Sequence, residues 1–400
     1  MRVLVMTQHF APEENAPAFR WSWLVEEFHR LGIQVDVVTS AWQNKPTSER
    51  APGGKLNIHR VRNVLSGTGL GSRLINELLV ALKSVMRATQ LQRPDVVIVT
   101  APPLGAMLYA RPLAWLLRCP LALEVRDVWP ELLDEWPTWS DYGNGPKPNF
   151  ARDLGVRCLT FLMKPWLIKA RRRATLVVTT TESFAQYLQD KGHPNVICVR
   201  NAAKDVPRLA PREFDGTLRV LYMGNVGRSQ MLATAVRAAK LVEDAGGSIR
   251  LRIVGHGAHL TALQRLVEQL GAPVEFLPNV PHSQVTEQYE WADSLLVMLR
   301  DWDAMAMTVP SKLYELLRTG RHVTASVCGE AKDLVEQSNT GDVVPPQDPE
   351  VLAQLWLDLI TSPDRLRTTP DLPAAVTAAE PRILGERYAT VLQSLIERNT

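Results

Sequence analysis

Lys312 and Glu315 lie three residues apart in the segment Val309 to Gly320, VPSKLYELLRTG. That spacing puts both side chains on one face of a helix. Pro310 precedes the helix, and its first turn holds Ser311, Lys312 and Leu313. A cation in a first turn opposes the helix dipole, which favours cations at the other end. An anion such as a diphosphate, meeting the lysine and the free backbone N–H groups together, removes the conflict. An exposed Lys312–Glu315 pair is the plain alternative. Two glycine loops add to the anion reading. Gly224 to Met231, GNVGRSQM, follows an apolar run and sets Gly224 and Gly227 three residues apart, with Asn225 and Arg228 beside them. Gly255-His256-Gly257 follows the next apolar run. Glycine lets a backbone approach a ligand closely, although a tight strand-to-helix turn explains each loop equally well. Neither loop is the dinucleotide fingerprint G-x-G-x-x-G.

Charged residues also stand at the end of an apolar run in Leu123 to Leu132, LEVRDVWPEL. Ending a buried strand on Arg126 and Asp127 is costly unless they are paired or used. They read either as a surface pair or as the floor of a ligand cleft. The loop His9 to Arg20, HFAPEENAPAFR, joins a strand end to a helix and ends on a basic residue. The stretch 151–173 carries Arg152, Arg157, Lys164, Lys169, Arg171, Arg172 and Arg173 against Asp153 alone, interleaved with Leu159, Phe161, Leu162, Met163, Trp166, Leu167 and Ile168. Cationic and apolar residues together suit an anionic membrane surface, and a solvated helix packed by its apolar face is the alternative. Leu74 to Arg87, LINELLVALKSVMR, is a weaker companion that reads mostly as a core helix.

The elements that must position these groups are short apolar runs alternating with helical stretches. Arg2–Thr7, Gln34–Thr39, Asp95–Thr100, Leu121–Val125 and Leu176–Thr180 are the first series of strands. Gly32 stops the helix of Ala18–Leu31. The pattern restarts with strands at Leu218–Met223, Arg250–Val254, Val274–Phe276 and Ser294–Leu299, and with helices at Ala233–Ala245, His259–Leu270, Gln284–Trp291 and Ser311–Thr319. Continuous apolar runs suit parallel sheets covered on both faces. Asn201 to Gly216, with Pro207 and Pro211 and little periodicity, separates the two series. Two doubly wound α/β domains follow, with ligands expected at the carboxyl ends of the strands and so in the cleft between the domains.

The chain has 400 residues, 46% hydrophobic and 22% charged, a globular composition. No apolar run of about 18 residues exists, and Met1–Thr7 is too short for a targeting core. Cys119, Cys158, Cys198 and Cys328 show no pairing or C-x-x-C spacing, which fits a reducing cytoplasm. The net charge of +3 hides an asymmetry: residues 1–200 hold 25 Lys and Arg against 17 Asp and Glu, and residues 201–400 hold 20 against 25. One half therefore faces an anionic partner. Nucleic acid is not expected, since no zinc finger, RNP signature or basic-aromatic ladder occurs.

In this order the pieces resemble the GT-B glycosyltransferases of family 4, in particular the bacterial O-antigen and capsule type that transfers acetamido sugars and is similar to the fucosamine transferases. The likeness runs from Met1 to about Leu359. It rests on the Arg20 loop, TAPPLGA (Thr100–Ala106), EVRDVWPE (Glu124–Glu131), GNVGRSQ (Gly224–Gln230) and PSKLYELLRTGRHV (Pro310–Val323). The resemblance implies two Rossmann-like doubly wound domains facing across a cleft. Residues 1–201 would bind the acceptor, with Arg20 and Glu124 on that side. Residues 202–378 would hold a nucleotide diphosphate-sugar. Residues 379–400 would form a helix crossing back to the first domain, with Ile383, Leu384, Tyr388, Val391, Leu392, Leu395 and Ile396 on one apolar face.

Glu315 matches the second glutamate of the family's E-x7-E motif, which holds the ribose, while the first falls on Met307. The family's diphosphate-gripping Arg and Lys fall on Asn225 and Gln230, so Lys312 and Arg228 would supply the charge. The histidine of the first domain appears as Arg126. Val280, in Asn279–His282, would meet the base through backbone groups. Gly224, Asn225, Gly227, Arg228, Gly255, Val280, Ser311, Lys312, Leu313 and Glu315 thus form the expected donor set, with Lys312, Arg126 and Asp127 as the chemical groups. The implied reaction is a retaining transfer to a polysaccharide or lipid-linked acceptor. It needs no metal and no cofactor beyond the sugar nucleotide, at a cytoplasmic site peripheral to the inner membrane face. A nucleotide-sugar 2-epimerase or a non-catalytic sugar-nucleotide-binding subunit are the alternatives.

Overall fold

The computed structural model describes residues 1–13, 15–41, 48–62 except 51–55, 70–138, 150–203 and 206–399. The chain divides into two compact units. Unit 1 is Met1–Leu133, Ala151–Ala202 and Ala379–Thr400, and unit 2 is Asp134–Phe150 and Ala203–Ala378. The sequence reading ran the first domain without a break from 1 to 201, whereas Asp134–Phe150 groups with unit 2.

Unit 1 runs β1 (Arg2–Met6), α1 (Ala16–Arg30), β2 (Gln34–Ser40), β3 (Ser48–Arg50), β4 (Leu56–Val61), α2 (Leu70–Thr89), β5 (Val96–Ala101), α3 (Leu104–Leu117), β6 (Leu121–Val125), α4 (Phe150–Arg172), β7 (Leu176–Thr179), α5 (Glu182–Asp190) and β8 (Val196–Cys198). Among the described residues its sheet has eight strands in the order β3-β4-β2-β1-β5-β6-β7-β8. All neighbours are parallel except β3, which pairs antiparallel to β4 at the edge. Local signals set the elements. Asn15 caps α1 by accepting the Ala18 N–H at 2.9 Å, and Gly32 ends that helix at φ +78°. Every residue of β5 and of β6 is buried, as covered parallel strands require.

The path from β4 through α2 to β5, from β5 through α3 to β6 and from β6 through α4 to β7 advances in one direction across the sheet. Right-handed crossovers therefore place α2, α3 and α4 on one face. The path from β1 through α1 to β2 runs the other way, so α1 lies on the opposite face. Residue parity agrees. Val3, Val5, Val35, Val37, Val96, Ile98, Ala122 and Val178 share one core with Trp21 and Phe28 of α1.

Unit 2 runs β9 (Leu218–Met223), α6 (Ala233–Asp244), β10 (Ile249–Val254), α7 (Leu260–Leu270), β11 (Val274–Leu277), α8 (Val285–Trp291), β12 (Ser294–Met298), α9 (Asp303–Ala306), α10 (Ser311–Leu316), β13 (His322–Ser326), α11 (Gly329–Ser338), β14 (Gly341–Val344), α12 (Pro349–Thr361) and α13 (Ala374–Thr377). Its six strands are all parallel in the order β11-β10-β9-β12-β13-β14. At the amino ends of β12 and β13, buried Ser294 and His322 pair at 2.9 Å, and His322 meets Asp342 of β14 at 2.9 Å. These contacts tie three strands together, running from buried Ser294 to the partly exposed Asp342.

The last helix, α14 (Pro381–Glu397), belongs to unit 1 and packs on α1. Gly385 is the contact point, because a Cβ there would stand 2.5 Å from the Glu27 Cβ. Tyr388 meets Phe28 edge-on at 5.7 Å between ring centroids. Among the described residues its buried hydroxyl has no hydrogen-bond partner, and burial, then the Glu124 carboxylate, push its pKa upward. Tyr388→Ala should therefore lower unfolding stability by about 3–5 kcal/mol in urea titration, as for other large aromatic truncations. Tyr388→Phe should be close to neutral or stabilising, since no hydrogen bond is lost. A destabilising Tyr388→Phe would contradict this packing.

Candidate functional site

In unit 2 the strand order reverses between β9 and β12. Ligands of doubly wound sheets bind beyond the carboxyl ends of the strands at such a point. Four loops, after β9, β10, β11 and β12, leave that edge and are tied to one another. The Val226 N–H donates to the His256 carbonyl at 2.8 Å, and the His259 N–H donates back to the Val226 carbonyl at 3.0 Å. The Asn279 amide meets the His256 ring at 2.7 Å, which brings the Val280 loop beside the second glycine loop. From β12, the Arg300 N–H donates to the Ser229 carbonyl at 2.7 Å. Gly224, Asn225, Gly227, Arg228, Gly255 and Val280 are thereby brought to one rim.

Two of these glycines answer to packing. Gly255 has φ +152°, and a Cβ there would fall 1.9 Å from the Gly224 carbonyl oxygen. A Cβ on Gly257 would fall 2.3 Å from the Val226 oxygen. At Gly227 the nearest atoms are the flexible ends of Asn225 and Gln230. The Arg228 guanidinium donates from Nε to His259 Nε2 at 3.1 Å. Burial, then Arg228 and Arg300, hold His259 below its ordinary range and so in the neutral form that accepts this bond. Arg300 is buried, with its guanidinium 4.8 Å over the Trp302 ring. It was not found from sequence, because nothing in its local pattern distinguishes it from a strand-end residue.

On α10, Glu315 is buried and accepts from the Tyr289 hydroxyl at 2.6 Å. Its other oxygen lies 3.8 Å from Lys312 Nζ, which also sits 5.7 Å over the Tyr289 ring. Tyr289 is held strongly toward its protonated form by burial and then by Glu315. The pair is therefore neither the exposed one nor a free carboxylate. Tyr289 lies 26 residues upstream on α8, and no local spacing reveals it. Leu313 departs from the donor set: its side chain is fully buried, and its N–H is taken by the Pro310 carbonyl at 2.9 Å. Ser311 is half-buried at the helix start. The helix itself is shorter than read from sequence, ending at Leu316.

In unit 1, Arg20 and Glu124 meet each other rather than a ligand. Both are buried, with Arg20 Nη2 3.0 Å from Glu124 Oε2. Arg20 also donates to the Val199 carbonyl at 2.9 Å, the Arg200 carbonyl at 2.8 Å and Asn201 Oδ1 at 3.3 Å. The pair ties α1 to β6 and to the chain leaving β8. Its depth in the interior corrects its assignment to an acceptor surface. Arg126 and Asp127 are half-buried at the carboxyl end of β6. Burial lowers the Arg126 pKa against the opposing pull of Glu124 and Asp127. Burial raises that of Asp127, with Arg126 and Trp129 opposing. Asp127 therefore holds a proton more readily than a solvated aspartate.

Arg171 is a second correction. It is 1% exposed and grips Glu131 through both guanidinium nitrogens at 2.9 and 2.7 Å, and the Trp129 carbonyl at 2.7 Å. It fixes the turn that follows Asp127 and faces no membrane. Among the described residues no three His, Cys, Asp or Glu side chains cluster as metal ligands.

Arg20→Met leaves Glu124 buried and alone, which should cost about 3–5 kcal/mol in urea unfolding. Adding Glu124→Leu should restore much of it, and a double variant as weak as the single would contradict a purely structural pair. His193, buried beside Arg171, is lowered to about 4 by burial and then by Arg171 and Arg172. Below about 6.5 the unfolded chain takes up a proton there that the folded chain refuses. Its contribution is thus complete above 6.5 and is lost as pH falls toward 4. His193→Leu should flatten the stability loss between pH 7 and 4.5, measured by urea titration at each pH, and an unchanged slope would contradict it.

Comparison with known proteins agrees with this architecture. Residues 15–202 match the glycosyl transferase 4-like domain, and residues 217–362 match glycosyl transferases group 1. WcaL of Escherichia coli (strain K12), named as a colanic acid biosynthesis glycosyltransferase, is 26% identical over 56% of this chain and 58% of its own length. WcaL of Salmonella typhimurium is matched over 47% of its length, so the chain spans about half of these relatives. WbjE of Pseudomonas aeruginosa, named as a glycosyltransferase, is 23% identical over 88% of both chains. Among solved structures, sucrose-phosphate synthase from Thermosynechococcus elongatus superposes with a TM-score of 0.74 at 15% identity, covering 99% of each chain. Anabaena HepE with UDP and glucose gives 0.67 at 14% identity, covering 98% of this chain and 99% of its own. These structural likenesses carry the fold, and the two matched domains carry the family: the chain belongs to the GT-B glycosyltransferases of family 4.

Proposed function

We propose that the protein is a retaining glycosyltransferase of cell-envelope glycan synthesis, moving an acetamido or deoxy sugar from a nucleoside diphosphate to a polysaccharide or lipid-linked acceptor. The observation that carries this reading is the rim at the carboxyl edge of unit 2. There two glycine loops interlock beside Arg228 and Arg300, with Lys312 and Glu315 on α10. Interlocked loops of this kind present backbone N–H groups to phosphate, and nearby cations add charge. HepE, a structural neighbour, is solved with UDP and with UDP-glucose, which supports a diphosphate at this rim. The colanic acid assignment of WcaL supports an envelope glycan as product.

In the reaction, the bond from the anomeric carbon to the diphosphate oxygen breaks while the acceptor oxygen bonds to the same carbon. The acceptor proton passes to the departing phosphate oxygen. Lys312 offsets the negative charge that grows on the leaving group. Glu315, fixed by Tyr289, accepts hydrogen bonds from donor hydroxyls. Arg126 and Asp127 would act from unit 1 as polar groups that hydrogen-bond and orient the acceptor, without taking its proton. No protein-held metal is needed. The location is the cytoplasm, peripheral to the inner membrane face. Among the described residues no helix is long and apolar enough to cross a membrane.

Thermal melting with UDP, GDP and their sugars in EDTA tests the binding step. Ligand at about 100 times its dissociation constant should stabilise by about 2.7 kcal/mol, and no shift with any of them would sink the reading. In steady-state assays of nucleotide release with a lipid-linked acceptor, Lys312→Ala should lower kcat about 100- to 1,000-fold. Glu315→Gln keeps an acceptor for Tyr289 but loses charge, so it should raise the donor KM more than it lowers kcat. Met307→Glu should not improve an acetamido or deoxy donor. Met307 offers no acceptor for a sugar hydroxyl where the family has a glutamate, which favours a deoxy or acetamido donor; a wild type that prefers UDP-glucose over all such donors would remove that role.

A further inference from the structure

Fifteen large apolar side chains are exposed among the described residues, and eleven of them sit on α2, α3 and α4. Each helix presents them as an outward stripe. Ile75, Leu78, Leu82 and Met86 recur at steps of three and four along α2. On α3, Ala106, Met107, Ala110, Leu113, Ala114 and Leu117 cover the sheet. The opposite side should then be polar, yet it shows Leu108, Pro112, Trp115 and Leu116, with Trp115 77% exposed. On α4, Phe161 is 79% exposed and Trp166 67%. Right-handed crossover puts all three helices on one face of the unit 1 sheet. This overturns the sequence reading of Leu74–Arg87 as mostly a core helix.

Charge says what covers this face. Lys83, Arg111, Arg157, Lys169, Arg172 and Arg173 are exposed on or at the ends of these helices. Two acidic residues, Glu77 on α2 and Asp153 on α4, stand against these cations in the sequence of the three helices. A protein partner would meet a focused pocket or a mixed-charge rim. Here apolar and aromatic side chains spread over three helices, among cations of one sign. That is the pattern of a surface lying at the boundary between lipid headgroups and acyl chains. We propose that α2, α3 and α4 together form one docking surface for an anionic bilayer, with Trp115, Phe161 and Trp166 as its interfacial anchors. The surface rests on the peripheral-membrane part of the reading above, widens it beyond 151–173, and does not depend on the transfer chemistry.

Flotation of the full chain with vesicles containing phosphatidylglycerol, against pure phosphatidylcholine, tests it. Wild type should float with the anionic vesicles and be released by about 0.5 M salt, where screening is nearly complete. Trp115→Ser with Leu116→Ser on α3 should weaken partitioning about tenfold or more, as should Phe161→Ser with Trp166→Ser on α4. Lys169→Ser with Arg173→Ser should weaken anionic binding alone. These side chains point outward, so melting temperatures and the nucleotide-induced shift should match wild type, which separates failure here from failure of the donor reading. An α3 variant that floats like wild type would overturn the three-helix surface. Equal flotation with phosphatidylcholine would overturn its anionic character. A concentration-dependent dimer in sedimentation, abolished by the same substitutions with no vesicle binding, would assign the face to a second copy instead.

Discussion

Parallel strands that follow one another in a sheet must be joined by crossovers, and those crossovers are right-handed. In this chain parallel pairing sets where the loops gather, and handedness sets which helices share a face. Every strand of unit 2 ends on the same edge, so the loops after β9, β10, β11 and β12 converge although they are spread over some 80 residues of sequence. In unit 1 the same rule gathers α2, α3 and α4 onto one side of the sheet and leaves α1 and α14 on the other. The loop rim of unit 2 follows from parallel pairing, and the three-helix face of unit 1 follows from the handedness of its crossovers.

Within that frame, a few close approaches fix the loops. Gly255 lies against the Gly224 carbonyl and Gly257 against the Val226 carbonyl, where no side chain fits. The glycines thus bring one loop onto the other, and the Val226 and His259 N–H groups lock the pair together. The same economy holds in unit 1, where Arg171 reaches from α4 to hold the turn after Asp127. One helix therefore carries an outward apolar face and an inward clamp on the turn beside Arg126 and Asp127.

The strands that read as continuous apolar runs were legible in the sequence, because full burial of a parallel strand leaves that mark. β3, β4, β8, β13 and β14 were not: β3, β8 and β14 are short strands at sheet edges, and β4 and β13 carry polar residues such as Asn57, His59, Arg60 and His322. Single loops with glycine or a strand-end charge were legible as candidates. Their partners were not: Arg20 meets Glu124 across 104 residues and Tyr289 meets Glu315 across 26. Which charges face outward was equally hidden. Arg171 and Arg172 are adjacent in sequence, yet one is buried and the other exposed, and composition alone assigns both to the surface. Helix α2 failed in the opposite sense, because periodicity identifies an apolar stripe without saying what covers it.

The central claim is that a nucleoside diphosphate sits on the carboxyl edge of unit 2. Hydrogen exchange of the full chain with and without UDP or GDP reads this amide by amide. The account predicts protection at 224–230, 255–259 and the start of the Ser311 helix, with 101–130 of unit 1 unchanged. Protection confined to unit 1, or none in the glycine loops at saturating nucleotide, would contradict it.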